Sequence, residues 1–349
     1  MTRILVLATG GTIASRPGAD GVAPALAGAE LVAAVLADDP DLRDTLRVSV
    51  EEPFRRPSYT LGPAAMLRLA RRCRTALEGP DGAPAEYDGV VVLHGTDTVA
   101  DSAWLTHLLT LPVTGGPAPG GPVVFTSAMR HAAETGADGP RNLLDALRVA
   151  GAPGAAGRGA MLVVNGEIHA AARVVKSHTS GLHAFASPGS SPLGDLTAGI
   201  VRFTRPAAAR PFPDPGPVGE LAEIGVVPAW AGHGDVLVGA LLDRGVRGLV
   251  VEGTGAGHVR PDAIAGLERA FESGVPVTVT SRASGPVHRA YGGGPGSGRW
   301  LAATPALDSG ELGTARALLA LAVGIATRGT GSELADWWGA VVRHQAGLE

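Results

Sequence analysis

Ile4-Leu5-Val6-Leu7-Ala8-Thr9-Gly10-Gly11-Thr12-Ile13-Ala14 is an apolar run that ends in a glycine-rich turn carrying a threonine. The pattern returns as Val90-Val91-Val92-Leu93-His94-Gly95-Thr96-Asp97-Thr98. Short, continuous apolar runs bounded by glycine read as strands buried on both faces. In open α/β sheets, ligands bind beyond the carboxyl ends of parallel strands. Both threonine turns stand at such an end, where glycine lets the backbone approach a ligand.

Outward from these two runs, strands and helices alternate, which predicts parallel sheets covered on both faces. Strand Ile4–Leu7 leads into a Gly/Pro/Ala loop from Ser15 to Gly28, then helix Glu30–Leu36. Pro63 opens a helix to about Leu77. Strand Gly89–Leu93, helix Val99–Leu109, strand Val123–Ser127, helix Arg141–Val149 and strand Ala160–Val164 follow, the last closing this part. Arg205 to Gly219 holds five prolines and reads as an extended linker. Beyond it, strands Ile224–Val227, Gly248–Val251 and Val275–Thr280 alternate with helices Asp235–Arg244 and Pro261–Ser273, and helices continue from Leu312.

A chain of 349 residues that is 45% apolar has enough apolar material for two cores, hence two domains. A net charge of -4 gives no electrostatic case for nucleic acid. The longest apolar stretch, Ala317 to Ala326, is too short to span a bilayer and reads as a buried helix. The chain enters a strand directly after Met1-Thr2-Arg3, which predicts a cytoplasmic protein. A single cysteine, Cys73, excludes an intrachain disulfide and a cysteine metal cage, and its place in a helix predicts inert packing.

Of 29 basic residues only Lys176 is lysine. Codon bias accounts for the arginines and leaves the lysine unexplained. A buried lysine can lose its proton, which arginine in effect cannot. Threonine hydroxyls need a base before they attack. Thr96-Asp97 sets a hydroxyl beside a carboxylate, and Lys176 is the candidate base. A lysine titrates near about 10.4; burial lowers that value and a neighbouring Asp97 raises it, so the charge of Lys176 stays open. The amides of Gly10, Gly11 and Gly95 are candidates to face an oxyanion. Nucleophile, base, carboxylate and oxyanion donors together describe acyl transfer through a covalent ester.

Simpler readings exist for each motif. Thr9-Gly10-Gly11-Thr12 also fits a plain strand-to-loop junction or a phosphate cradle, although no lysine follows at phosphate-loop spacing and G-x-G-x-x-G is absent. Asp97 or Thr98 fits an N-cap for the helix from Val99. His178 and His183 lack a third ligand at metal spacing and read as loop histidines.

These motifs resemble the bacterial-type L-asparaginase family, amidohydrolases with a threonine nucleophile. The resemblance runs through Ala128-Met129-Arg130, Ala137-Asp138-Gly139-Pro140 with Asn142, Lys176-Ser177-His178-Thr179 and Ser191-Pro192-Leu193-Gly194. It implies a two-domain α/β fold: a larger N-terminal domain on a mixed or parallel sheet (1–204), a linker (205–222) and a smaller C-terminal parallel-sheet domain (223–349). It implies hydrolysis of L-asparagine to aspartate and ammonia with no metal or organic cofactor, in a tetramer built of close dimers. Thr12 would be the nucleophile. Thr96 would align water and help hold the oxyanion, Asp97 would bind the substrate ammonium, and Lys176 would move the proton. Gly11, Ser58, Tyr59, Gly95 and the carbonyl of Ala128 would bind substrate, Ser58 through the α-carboxylate, with Thr179 behind them.

Three departures from the family accompany the match. The lid Ser15–Gly28 has no tyrosine, Val22 or Ala23 standing near that place, while Gly18 and Gly21 permit closure. Ser273 to Leu307 contains no acidic residue to act from a neighbouring subunit, and Ala256 stands where the family has asparagine. Tyr291, near His288 in a glycine-rich loop, is the candidate to supply the missing hydroxyl across an interface. The rival readings are a glutaminase-asparaginase, a hydrolase of another small amide, an asparagine-binding sensor and a nucleotide-binding domain. A tRNA-dependent amidotransferase component, which carries an extra N-terminal domain, is expected to be excluded by chain length.

Overall fold

The structure, a computed structural model, describes residues 1–18, 21–78, 85–110, 120–207 and 214–347. The chain divides into two compact units, Met1–Pro211 and Phe212–Glu349.

In the first unit β1 (Thr2–Ala8) is followed by a hairpin, β2 (Ser15–Gly18) and β3 (Gly21–Pro24). Then come α1 (Gly28–Ala37), α2 (Pro40–Thr45), β4 (Leu46–Glu51), α3 (Pro63–Glu78), β5 (Gly89–Leu93), α4 (Val99–Thr110), β6 (Val123–Thr126), α5 (Gly139–Gly151) and β7 (Ala160–Val164). The unit ends with short strands β8 (Glu167–Ala170), β9 (Val175–Lys176), β10 (Phe185–Ala186), β11 (Gly194–Thr197) and β12 (Ile200–Phe203). The main sheet runs β12-β11-β8-β7-β6-β5-β1-β4. It is parallel from β4 to β7 and antiparallel from β7 to β12, hence mixed.

Alternate side chains of β1 enter opposite layers, which is why the whole run is apolar. Ile4, Val6 and Ala8 pack with Val91, Leu143 and Leu147 on the α1/α5 side. Leu5 and Leu7 pack with Val90, Leu69, Cys73 and Ala103 on the α3/α4 side. Burial pushes the Cys73 thiol up to about 12, so it stays protonated and packs as an apolar group.

The second unit comprises β13 (Ile224–Pro228), α6 (Gly234–Arg244), β14 (Gly248–Gly253), α7 (Ile264–Glu272), β15 (Val277–Ser281), α8 (Gly298–Ala302), β16 (Leu307–Asp308), α9 (Thr314–Arg328) and α10 (Ser332–Ala346). Its sheet, β13-β14-β15-β16, is parallel throughout. Val227, Leu249, Val251 and Val279 face Val238 and Leu267 of α6 and α7. The expected two-domain α/β architecture, a larger mixed sheet and a smaller parallel one, is the architecture found.

Four expectations are corrected. β7 does not close the first unit; five short strands follow it, each too brief for periodicity to register. The Ser15–Gly28 stretch, read as loop, forms the β2/β3 hairpin and the start of α1. The α2/β4 pair and the α8/β16 segment were not anticipated. The helix expected over Pro261–Ser273 begins with a separate 3-10 turn at Pro261–Ala263. Of the expected linker, residues 208–213 lie outside the described residues. Among the described residues no helix is long and apolar enough to cross a membrane.

Candidate active site

The two threonine turns leave adjacent parallel strands, β1 and β5, and meet through their glycines. Thr9 clips them together, donating from its amide (3.0 Å) and hydroxyl (2.9 Å) to the carbonyl of Leu93. Gly10 and Gly11 adopt left-handed φ values of 93° and 81°. A Cβ on Gly11 would run into the Cα of Gly95, and a Cβ on Gly95 would stand 2.6 Å from Ser58 Oγ. The glycines thus permit three backbone segments to touch, a constraint additional to any exposure of their amides.

Thr12 opens a single 3-10 turn, Thr12–Ala14, with Ala14 N donating to Gly11 O. Its hydroxyl makes no hydrogen bond to another described residue. Ser15 Oγ donates to Gly11 O at 2.8 Å and ties the hairpin to the turn. The amides of Gly11, Thr12, Gly95 and Thr96 likewise have no hydrogen-bond partner among the described residues.

The second turn is fastened on several sides. Buried Ser58, in the 3-10 turn Ser58–Thr60, accepts from Asp97 N at 3.2 Å through its hydroxyl. Its carbonyl accepts from Thr98 Oγ1 at 2.9 Å. Accepting Asp97 N–H leaves the Ser58 O–H free to donate to a ligand. Lys176, at the end of β9 and paired with Phe185 of β10, reaches across. Its Nζ lies 2.9 Å from both Thr96 Oγ1 and Asp97 Oδ1. The side chain of Lys176 is 20% exposed and that of Asp97 52%. Lysine, hydroxyl and carboxylate form one connected group with the carboxylate open toward solvent.

A cavity of about 240 Å³ is lined by Gly11, Thr12, Ser15, Pro57, Ser58, Tyr59, Gly95, Thr96 and Asp97. Seven of the residues singled out by sequence therefore share one cavity, and Lys176 joins through its two bonds. Tyr59 is largely exposed. Ser15 and Pro57 line the cavity without having been anticipated; neither residue type carries a sequence signal for this.

Ala128 is buried and stands outside that lining. Its peptide is set from behind: the Asp138 carboxylate accepts from Met129 N and Arg130 N, both at 2.9 Å. Asn142 Nδ2 donates to Asp138 Oδ2 and to Ser127 O, holding the carboxylate in place.

Other expectations resolve differently. Asp97 and Thr98 direct their side chains to Lys176 and Ser58 rather than to a helix cap. Thr179 is exposed. His178 Nδ1 accepts from Ser180 N and Gly181 N and shapes a turn, while His183 pairs with Asn165. Among the described residues, no group of three or more His, Cys, Asp or Glu is arranged to hold a metal ion. In the second unit Tyr291 is exposed and stacks on His258, with ring centroids 5.7 Å apart.

Known proteins share this layout. Residues 3–209 match the family model described as asparaginase, N-terminal, and residues 223–337 match the glutaminase/asparaginase C-terminal domain. The chain is 37% identical to a probable L-asparaginase of Deinococcus radiodurans over 93% of its length and 92% of the relative's. It is 32% identical to L-asparaginase 2 of Bacillus subtilis, over 81% of this chain and 73% of that one. The crystal structure of a probable cytoplasmic L-asparaginase from Campylobacter jejuni superposes with a TM-score of 0.78 at 27% identity, covering 97% of this chain and 99% of that one.

Proposed function

The chain belongs to the asparaginase family, and from that premise we propose that it is an amidohydrolase converting L-asparagine and water to L-aspartate and ammonia. The observation that carries the reading is Lys176 Nζ at 2.9 Å from both Thr96 Oγ1 and Asp97 Oδ1, beside a cavity that also holds Thr12 and Ser58.

In this reading Thr12 Oγ1 attacks the side-chain amide carbon, and its proton passes to the departing nitrogen. Ammonia leaves and a threonyl ester remains. Water, aligned by Thr96 Oγ1 and deprotonated through Lys176, hydrolyses the ester and restores Thr12. The tetrahedral oxyanion formed in each half is held by unpaired turn amides, Thr96 N–H among them. Ser58 O–H donates to the α-carboxylate, the open carboxylate of Asp97 takes the α-ammonium, and the Ala128 carbonyl accepts from the substrate amide. No step calls for a metal.

Steady-state ammonia release from asparagine and glutamine tests the reading. Release from asparagine at a kcat/KM well above that from glutamine supports it. Binding of asparagine, seen as a thermal shift, without release would make the chain a sensor instead. Glutamine hydrolysis is the second reading, supported by the glutaminase/asparaginase match of the C-terminal half.

The proposal extends to organisation. Domain limits of 1–204 and 223–349, joined by 205–222, are supported by the two compact units and the two family matches. A cytoplasmic location is supported by the Campylobacter jejuni relative's name. A dimer of dimers is the assembly the family implies, and within it exposed Tyr291 supplies a hydroxyl to a neighbouring copy's site. Tyr291→Phe is expected to lower kcat at least about tenfold. Full activity of Tyr291→Phe would remove that role and leave the hydrolysis intact.

A further inference from the structure

His94 separates β5 from the second threonine turn and is completely buried. Among the described residues its ring makes no hydrogen bond to Thr12, Thr96, Asp97 or Lys176, yet the hydrogen bonds it does make are directional. Nδ1 lies 2.9 Å from the carbonyl oxygen of Gly95, the next residue, and Nε2 lies 3.0 Å from Ser102 Oγ on α4. A carbonyl only accepts, so Nδ1 carries the proton and Nε2 accepts from the serine hydroxyl. Burial pushes the ring down to about 4, which keeps this one neutral tautomer in place at ordinary pH.

The consequence lies in the next peptide bond. Gly95 C=O and Thr96 N–H belong to one planar unit, and the described chain has no cis peptide. In a trans peptide the two groups point in opposite directions. With the carbonyl held by the buried ring, Thr96 N–H points away from it. That amide has no hydrogen-bond partner among the described residues, and Gly95 and Thr96 both line the cavity. Gly95 packs closely against both Gly11 and Ser58, which leaves little space around it.

We propose that His94 is a positioning residue: it locks the Gly95–Thr96 peptide from behind so that Thr96 N–H is aimed at the oxyanion, with Ser102 holding the far ring nitrogen. The inference rests on the hydrolase reading for the oxyanion and on geometry alone for the peptide orientation. An amide aimed in advance stabilises developing charge without reorganising during the reaction.

Two near-isosteric replacements divide the ring's functions. Asparagine places its N–H donor close to Nδ1, and glutamine places its amide close to Nε2. His94→Gln therefore keeps a partner for Ser102 and loses the donor to Gly95; His94→Asn does the reverse. The expected result is a kcat loss of about 10²- to 10³-fold in His94→Gln, as for removal of an oxyanion donor. KM should stay within about threefold, with His94→Asn recovering kcat to within about tenfold of the parent. The companion readout is the backbone NMR signal of Thr96, whose shift and hydrogen exchange should change in His94→Gln and remain parental in His94→Asn. Equal kcat losses in the two variants, or a glutamine variant with parental kcat, would overturn the proposal. If the parent chain releases no ammonia, the hydrolase reading falls, and the Thr96 amide signal alone decides whether His94 orients that peptide.

Discussion

The two threonine turns lie side by side and are built in opposite ways. The second is held on every side: His94 behind Gly95, Ser58 against Asp97 and Thr98, and Lys176 across Thr96 and Asp97. The first has its backbone fixed by Thr9, Ser15 and the left-handed glycines, while the Thr12 hydroxyl has no described partner. The contrast fits a division of labour. Groups that stabilise charge act best when fixed in advance. A nucleophile must be free to form a bond. In the proposed reading the turn that looks richer in chemistry is the scaffold, and the plainer one holds the attacking atom.

Substitutions can break this contrast, and the largest effect falls on the free hydroxyl. Thr12→Ala should reduce kcat for asparagine by about 10³-fold or more, with unchanged circular dichroism. A variant with kcat within tenfold of the parent would move the nucleophile elsewhere. Lys176→Met should cost about 10²-fold or more, and Lys176→Arg should restore little, because arginine neither gives up its proton nor fits a point contact with two oxygens. An arginine variant near parental activity would reduce Lys176 to an electrostatic prop.

Much of this division was legible in the residues, for physical reasons. β1 and β5 are buried on both faces, so their composition alone marks them. The two turns, the lone lysine and the neighbouring carboxylate could be listed before any geometry was known. Three things could not be read. Short strands such as Glu167–Ala170 contain too few residues for alternation to show. Leu46, Val48 and Val50 do alternate in β4, but in a six-residue edge strand beside a short helix the signal is slight. The third is the use of single polar residues behind the site. Nothing in His94, Ser102 or Asp138 as residue types says that a peptide plane is being held, because that depends on which carbonyl or amide lies within 3 Å. As residue types the glycines suggest bared amides; their packing shows that they also let Gly11, Gly95 and Ser58 touch.

A smaller effect sharpens the same contrast. Gly95→Ala puts a methyl 2.6 Å from Ser58 Oγ, so the scaffold turn must shift. A kcat loss of tens-fold and a lower melting temperature are expected, and Ser58→Gly, which gives the methyl room but removes a substrate-binding hydroxyl, should relieve only the second. Unchanged kinetics in Gly95→Ala would show that the turn tolerates displacement.

The mildest effect concerns acid. His94 in the first unit and His344 in the second are each pushed from about 6.5 down to about 4 by burial. Between those values the unfolded chain takes up protons that the folded chain refuses. Stability is therefore complete above about pH 6.5 and is lost progressively as pH falls toward 4. Urea melts at pH 7, 6 and 5 should show falling midpoints, with a shallower fall for His94→Asn. Midpoints independent of pH over that range would mean that neither ring is held neutral.

In the proposed mechanism Thr12, not the lysine-bound Thr96, forms the bond to substrate. Acid quenching during turnover of asparagine, followed by proteolysis and mass spectrometry of the threonine peptides, tests it directly. A β-aspartyl ester is expected on the peptide that contains Thr12. An ester on the peptide that contains Thr96 would contradict it.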